Sequence, residues 1–362
     1  MKKFVFIHLL NDYSGSPKVL SQVVSASRTA GYEVDLYTSS GESGFLSGLT
    51  DNHNFYFYRL FQNQYLTLVS YLFSQGLLFF KLLKYRNQDA VFYVNTLLPF
   101  GAALAGKVAG NIVYYHVHEI SQKPPLLKRF LRFVVQHTAD KVVFVSRSVE
   151  VSEAFPGIPH RVVHNALPEE LTQLASQNTY EWKSDDIFSV LMICSLKPYK
   201  GVEEFLQIAR LCRASSDVKF TLVLNSDSAE LQRYFSGMDV PPNVTLVPRQ
   251  SDVIPFYRQA SVLLNLSRVD EMVETFGLTI VEAMSFGVPV IVPPKGGPTE
   301  IVSDGVEGYL VSSYEVEEIA RLILGLSEDE DKALELSKNA GKRSKDFSQQ
   351  KFDREILEFI GD

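Results

Sequence analysis

Residues 274–290 read Glu274-Thr-Phe-Gly-Leu-Thr-Ile-Val-Glu282-Ala-Met-Ser-Phe-Gly-Val-Pro-Val290: two carboxylates eight residues apart across a Phe-Gly pair, then a short β-branched run. A helix opening at Gly277-Leu278 turns about 100° per residue, which puts Leu278, Ile280, Val281 and Met284 where they can pack inward. Glu274 then stands at the mouth of the helix and Glu282 along its flank, on the side of its N-terminal end. The amides of Gly277 and Leu278 would meet an anion with the helix dipole behind them, and two ionised glutamates would accept hydrogen bonds from sugar and ribose hydroxyls. A nucleotide sugar meets all three demands. The bare spacing is equally that of a surface helix with two solvated glutamates.

The surroundings narrow this. The ordered string Glu274-Thr-Phe276-Gly277-Leu278, Glu282-Ala-Met, Gly287-Val-Pro-Val and Gly296-Gly297-Pro-Thr-Glu-Ile-Val302 resembles the donor-site signature of family 4 glycosyltransferases, retaining enzymes of the GT-B fold. The resemblance implies an α/β protein of two Rossmann-like domains facing each other across a cleft. It implies a nucleoside diphosphate sugar as substrate, a UDP-sugar first among them, and no separate cofactor or metal. It also implies a saccharide or lipid-linked acceptor in cell-surface polysaccharide assembly.

The rest of the chain reads the same way. Short β-branched or aromatic runs at 4–10, 33–38, 54–59, 90–95, 112–118, 141–146 and 161–164 alternate with helical patterns, as in a parallel sheet with crossover helices. After a polar stretch around Gln173–Asp186 the pattern restarts at 187–194, 219–224, 244–247, 261–266, 288–292 and 308–311. The expected organisation is an acceptor domain over 1–168, a donor domain over 169–345, and a final helix within 346–362 which, by resemblance, packs back on the first domain. Ligands of open parallel sheets bind beyond the carboxyl ends of the strands.

Other site residues follow from loops at those ends. Ser195-Leu-Lys-Pro-Tyr-Lys200-Gly201 leads into a helix, and a lysine at a helix start asks for a compensating anion, although a solvated loop lysine would read alike. By resemblance Lys200 holds the donor diphosphate. Here the chain departs from the family pattern, which carries arginine where this sequence has Ser195; Lys197 could supply charge but not a bidentate fork. The loop Asn11–Leu20, with Ser14, Gly15 and Ser16, resembles the glycine-containing loop that receives the acceptor. In Tyr114-Tyr-His116-Val-His118-Glu119 the two histidines alternate onto one face; His118 takes the family's place near the transferring sugar, and two histidines without a third ligand do not argue for a metal. By resemblance, Arg249 takes the position that in the family borders the nucleotide base. There is no G-x-G-x-x-G, so a dinucleotide cofactor has no support.

With 362 residues, 46% hydrophobic and 21% charged, the chain has material for two cores, and two cysteines without close spacing suit a reducing, cytoplasmic setting. The net charge of −7 divides unevenly: residues 1–170 hold 16 Lys and Arg against 12 Asp and Glu, leaving 19 against 30 for residues 171–362. Nucleic acid is not an expected partner. The apolar N-terminal run is cut by Asn11-Asp12, and Leu60–Tyr85 is interrupted by Gln62, Asn63, Gln64, Gln75, Lys81 and Lys84 before reaching the ~18 apolar residues of a membrane span. No transmembrane helix is therefore expected. Lys123, Lys128, Arg129 and Arg132 form the basic side of an amphipathic helix, which together with Leu60–Tyr85 would give weak peripheral contact with an anionic inner membrane face; an ordinary core helix has the same pattern. Two further functions share these features: a nucleotide-sugar-binding module without catalysis, to which Ser195 points, and another GT-B enzyme such as a nucleotide-sugar epimerase or a phosphorylase.

Overall fold

The computed structural model describes residues 2–40, 43–120 and 124–361. Lys123, one of the expected basic residues, lies outside them. The chain divides into two compact units, Met1–Asn165 with Gln350–Asp362 and Ala166–Gln349.

The first unit runs β1 (Lys3–Ile7), α1 (Gly15–Thr29), β2 (Glu33–Ser39), β3 (His53–Tyr56), α2 (Gln64–Leu82), β4 (Ala90–Asn95), α3 (Phe100–Ala109), β5 (Ile112–Val117), α4 (Pro125–Thr138), β6 (Lys141–Phe144), α5 (Arg147–Glu153) and β7 (His160–Val162). Among the described residues its sheet is parallel throughout, in the order β3-β2-β1-β4-β5-β6-β7. Strand side chains alternate between faces, so Val5, Ile7, Phe92, Val94, Val113 and Tyr115 form one core with the inner sides of α2, α3 and α4. Chain progression reverses between β1 and β4, and that is where loops diverge.

The second unit continues with α6 (Glu169–Ser176), β8 (Phe188–Cys194), α7 (Val202–Leu211), β9 (Val218–Leu224), α8 (Ser228–Phe235), β10 (Val244–Val247), α9 (Ile254–Gln259), β11 (Val262–Leu264), α10 (Leu278–Ser285), β12 (Val290–Val292), α11 (Pro298–Ile301), β13 (Gly308–Leu310), α12 (Val316–Glu328) and α13 (Glu330–Ser344). Its parallel sheet has the order β10-β9-β8-β11-β12-β13, with the reversal between β8 and β11. Phe205 and Leu206 of α7 pack with Phe220 and Leu222 on one face, and Ile280, Val281 and Met284 of α10 pack with Leu191 and Val290 on the other. Both units are Rossmann-like. The last helix, α14 (Gln349–Gly361), belongs to the first unit: its Phe359 ring lies 5.6 Å from Tyr114, and Lys141 Nζ donates to the Phe359 carbonyl at 3.2 Å.

Two expectations need correction. Helix α2 with the following turn to Tyr85 is a 22-residue apolar stretch long enough by length and composition to cross a bilayer, because scattered Gln and Lys do not cancel the leucines and phenylalanines around them. About a third of it is buried against the core of its unit. The basic face of α4 is also not a free cationic surface, since Lys128 and Arg132 both pair with the fully buried carboxylate of Glu153, Lys128 at 2.8 Å. A buried carboxylate needs such cations, and they are held by it.

Candidate active site

In the second unit, site residues gather beyond the carboxyl ends of β8, β9, β10 and β11. After β8 the chain makes a short 3₁₀ turn, Pro198–Lys200, and enters α7 through Gly201 in the left-handed region at φ +78°. A Cβ on Gly201 would lie 2.3 Å from the Leu266 carbonyl oxygen, so only glycine lets the β8 loop press against the end of β11. That contact sets Lys200 beside Ser267 and Glu274. Lys200 Nζ is 2.6 Å from Glu274 Oε2 and 3.4 Å from Ser267 Oγ, and Ser267 Oγ donates to Glu274 Oε2 at 3.3 Å.

The electrostatics of the pair are mutual. Burial opposes the Lys200 charge, but the Glu274 carboxylate outweighs it and holds the ammonium above the usual lysine range. Burial likewise opposes charge on Glu274, and Lys200 with hydrogen bonds from Asn265 and Ser267 overcomes it, keeping the carboxyl below its usual range. Both groups are ionised. A cation and an anion, each partly solvent-exposed, are thus held ready at the switch point of the sheet.

The loop carrying Glu274 is clamped from two sides. The Arg268 guanidinium bonds Glu204 at 2.8 Å, Glu203 at 3.2 Å and Glu271 at 3.0 Å, tying the segment to α7. From the other side Gly297 N donates to the Glu274 carbonyl at 2.8 Å. Helix α10 begins after Gly277 with no side-chain cap, so its first backbone N–H groups receive no capping side chain. Phe276 is buried in the core beneath, 5.6 Å from the Phe347 ring.

Glu282 is buried on α10 and accepts a hydrogen bond from Tyr257 Oη at 2.7 Å, so it is not the solvated flank residue that spacing allows. Desolvation, with Glu282 beside it, pushes the Tyr257 phenol well above its usual range, so Tyr257 stays a donor. Arg249 is exposed after β10, and its Nε donates to Asn225 Oδ1, after β9, at 2.6 Å. Ser195 is half-buried at the end of β8 and Lys197 beside it is exposed.

The first unit has its own polar cluster at the reversal between β1 and β4. Asn95, ending β4, donates to the Ser16 carbonyl at 3.2 Å and accepts from His118 Nε2 at 2.8 Å. The rings of His116 and His118 are 4.2 Å apart, and Tyr93 Oη is 2.9 Å from His116 Nδ1. Burial lowers His118 well below the usual histidine range, His116 to about 3 and His8 to about 4, so the cluster is neutral. Burial raises Glu119 to about 7, even though its Oε1 accepts from Leu97 N at 3.1 Å. Ser14 and Gly15 are exposed at the start of α1, with Ser14 Oγ donating to Asp12 at 2.5 Å. Asn95 thereby joins the Ser14–Ser16 loop to His118. Among the described residues no group of three or more His, Cys, Asp or Glu side chains is arranged to hold a metal ion.

Asn95, Asn265, Ser267 and Arg268 were not among the residues expected from sequence. Their one available signal is position: Asn95 ends a strand, and the other three follow β11 directly. Thr96, a β-branched residue at φ +69°, adds a strained backbone beside Asn95, the kind of outlier that accompanies functional loops.

Comparison with known proteins shows what the chain resembles. Residues 178–343, which contain the Lys200–Glu274 cluster, match the family model for glycosyl transferases group 1. The chain is 26% identical over 245 residues to the N-acetyl-alpha-D-glucosaminyl L-malate synthase of Bacillus anthracis, covering 64% of this chain and 61% of that protein. It is 22% identical over 357 residues to an uncharacterized glycosyltransferase of Haemophilus influenzae, covering 97% and 98%. The crystal structure of Anabaena HepE in complex with UDP and glucose aligns with a TM-score of 0.79 at 20% identity, over 99% of each chain. Sucrose-phosphate synthase from Thermosynechococcus elongatus aligns at 0.74 and 17% identity, over 99% of this chain and 97% of that one. The likeness to these structures establishes the GT-B fold, and the family model and the curated relatives make the chain similar to glycosyltransferases of group 1.

Proposed function

We propose that the protein transfers a hexosyl group from a UDP-sugar to a saccharide or lipid-linked saccharide, with retention of configuration and without a metal ion, in assembly of a cell-surface polysaccharide. The observation that carries this reading is the Lys200–Ser267–Glu274 cluster beside the uncapped start of α10. Transfer leaves a nucleoside diphosphate whose negative charge grows in the transition state, and a preformed cation with backbone N–H groups stabilises such charge. Lys200 therefore turns from Glu274 to the diphosphate, joined by the Gly277 and Leu278 amides. Glu274, released by Lys200, accepts hydroxyls of the donor sugar. Glu282, fixed by Tyr257, receives ribose hydroxyls, and Arg249 borders the base. In the first unit, Ser14, Gly15 and Ser16 are the acceptor residues of this reading, and His118, neutral and held by Asn95, is its sugar-binding imidazole. The free Cys194 and Cys212 suit a reducing, cytoplasmic setting.

The test is a thermal-unfolding screen of nucleoside diphosphate sugars, followed by assay of nucleoside diphosphate release with and without saccharide acceptors. A ligand at about 100 times its Kd stabilises by roughly 2.7 kcal/mol, which is readily seen. Stabilisation by a nucleotide sugar with release only when acceptor is present supports the proposal. Stabilisation with no turnover for any acceptor points to the binding module that Ser195 suggests, and an epimerised donor points to the other enzyme class.

Two predictions arise here. EDTA leaves the rate within about twofold, because Lys200 and the α10 amides do the work that a bridging cation does elsewhere; loss of activity in EDTA restored by manganese would refute this. Glu282→Ala weakens binding of free UDP by about tenfold or more, as expected for loss of hydrogen bonds to a charged acceptor. Tyr257→Phe removes the same intramolecular bond but leaves the carboxylate, so it separates ribose binding from support of α10. Equal UDP affinity in wild type and Glu282→Ala would remove the ribose role.

A further inference from the structure

Helix α2 is built inside out. Its inward side carries Ser70, Ser74 and Gln75 as well as Tyr71, Leu78 and Leu82, and the polar groups are used there: Gln75 Oε1 accepts from Gly101 N at 3.2 Å, and Ser74 Oγ donates to the Tyr71 carbonyl at 2.7 Å. Its outward side carries Leu66, Val69, Leu72, Phe73, Leu77 and Phe80, all exposed, with Phe73 59% and Phe80 72% accessible. A surface helix in water shows the reverse arrangement. The stripe repeats at helical spacing over 19 residues, about 28 Å of apolar edge, and Phe57 from the preceding turn packs edge-on at 6.2 Å from Phe73 to widen it. A contiguous face of this kind marks a surface that is covered in use.

Charge identifies what covers it. From Asn54 to Gln88 the chain has no carboxylate and four cations, Arg59, Lys81, Lys84 and Arg86, all exposed. The neighbouring helices α3 and α4 contain no Asp or Glu either. A rim of one sign around an apolar face matches an anionic lipid surface, into which Phe and Leu side chains insert while Lys and Arg remain among headgroups. We propose that the outward face of α2 docks in the plane of an anionic lipid bilayer, with the aromatic turn before it as a second insertion point. The helix lies on the membrane rather than crossing it, because its inner side is committed to Gly101, the Leu98 carbonyl and the sheet core. This differs from an electrostatic contact through α4, where Lys128 and Arg132 are taken by Glu153. It stands apart from the donor reading, since it needs neither nucleotide nor acceptor.

Flotation of the purified full chain with vesicles tests it. Wild type is expected to float with phosphatidylcholine vesicles containing phosphatidylglycerol and much less with phosphatidylcholine alone, and to retain part of its binding in high salt. The Phe73→Ser/Phe80→Ser variant, whose changes lie on the exposed face, is expected to lose at least about tenfold in vesicle affinity with unchanged thermal response to UDP. As an independent reading, a tryptophan introduced as Phe80→Trp should be quenched by vesicles with brominated acyl chains, while native Trp182, bonded to the Leu326 carbonyl in the other unit, is not. Wild type remaining unbound to both vesicle types overturns the proposal. So does a wild-type dimer that the double variant converts to monomer, because a second copy would then cover the face.

Discussion

Lys200→Ala is expected to lower turnover by about 10²-fold or more, the loss seen when one preorganised donor is removed from a site of growing negative charge. The size follows from how the lysine is held. Its ammonium is 2.6 Å from Glu274 and within reach of Ser267, on a backbone fixed by Gly201 against the Leu266 carbonyl. On the proposed reading a donor diphosphate meets a charge already in place, and the cost of desolvating it has been met in folding. Substrate affinity should fall less than turnover, because charge on the diphosphate rises as the sugar departs. Lys200→Arg keeps charge but spreads it over a wider fork and should recover only part of the rate.

The same substitution changes the pH profile. Lys200 holds the Glu274 carboxyl below its ordinary 4.5, so the stabilisation from that depressed value is present above 4.5 and is lost as pH falls through the lower folded value. The raised Lys200 value acts at the other end: its contribution is present below the ordinary 10.5 and is lost as pH rises through the folded value. Between those limits the pair adds no slope. Without the lysine, a partly buried Glu274 keeps its desolvation without its cation, so the acid limb of activity should move upward, while the contribution of Glu274 to the acid limb of stability should disappear and its ionisation should instead cost stability as pH rises. Stability and kcat measured across pH on wild type and Lys200→Ala decide this; coincident acid limbs would show that Glu274 does not depend on Lys200.

The strands were legible because period and composition act locally: buried parallel strands appear as short β-branched runs, and Ala90–Asn95 and Val244–Val247 fall where those runs lie. The 274–277 segment was legible as a unit because Glu274, Phe276 and Gly277 sit within one short stretch, and the structure brings Glu274 beside Lys200. Asn95 and Ser267 were not, since each becomes a partner only when strands distant in sequence are laid side by side, Asn95 next to His118 on β5 and Ser267 next to the β8 loop. The orientation of α2 was hidden for another reason. Its leucines and phenylalanines have helical spacing whichever side they face, and only the hydrogen bonds of Gln75 and the burial of Ser70 and Ser74 identify the inward side. Glu153 was missed on α5 likewise, so Lys128 and Arg132 looked like free surface charge.

Gly297→Ala is expected to lower turnover about 10²-fold while the protein remains folded. Gly297 has an ordinary helical φ of −55°, so alanine costs nothing in backbone conformation there. Its Cβ, however, would lie 2.4 Å from Phe276 Cα and 2.5 Å from the Thr275 carbonyl oxygen, both backbone atoms that cannot rotate away. The 274–276 segment must therefore retreat by about 1 Å to reach normal contact, moving Glu274 away from Lys200 and the start of α10 with it. A displacement of that size at a reacting centre costs on the order of 10²-fold in rate. Gly305→Ala is the contrasting control: at φ +75° it strains the backbone, but its Cβ meets nothing within 4 Å and Gly305 lies outside the donor loop. Gly305→Ala should then lose stability with turnover kept, and Gly297→Ala should lose turnover out of proportion to stability. If Gly297→Ala keeps wild-type kcat, the position of Glu274 does not limit the reaction, and its role as the group that receives the donor sugar fails with it.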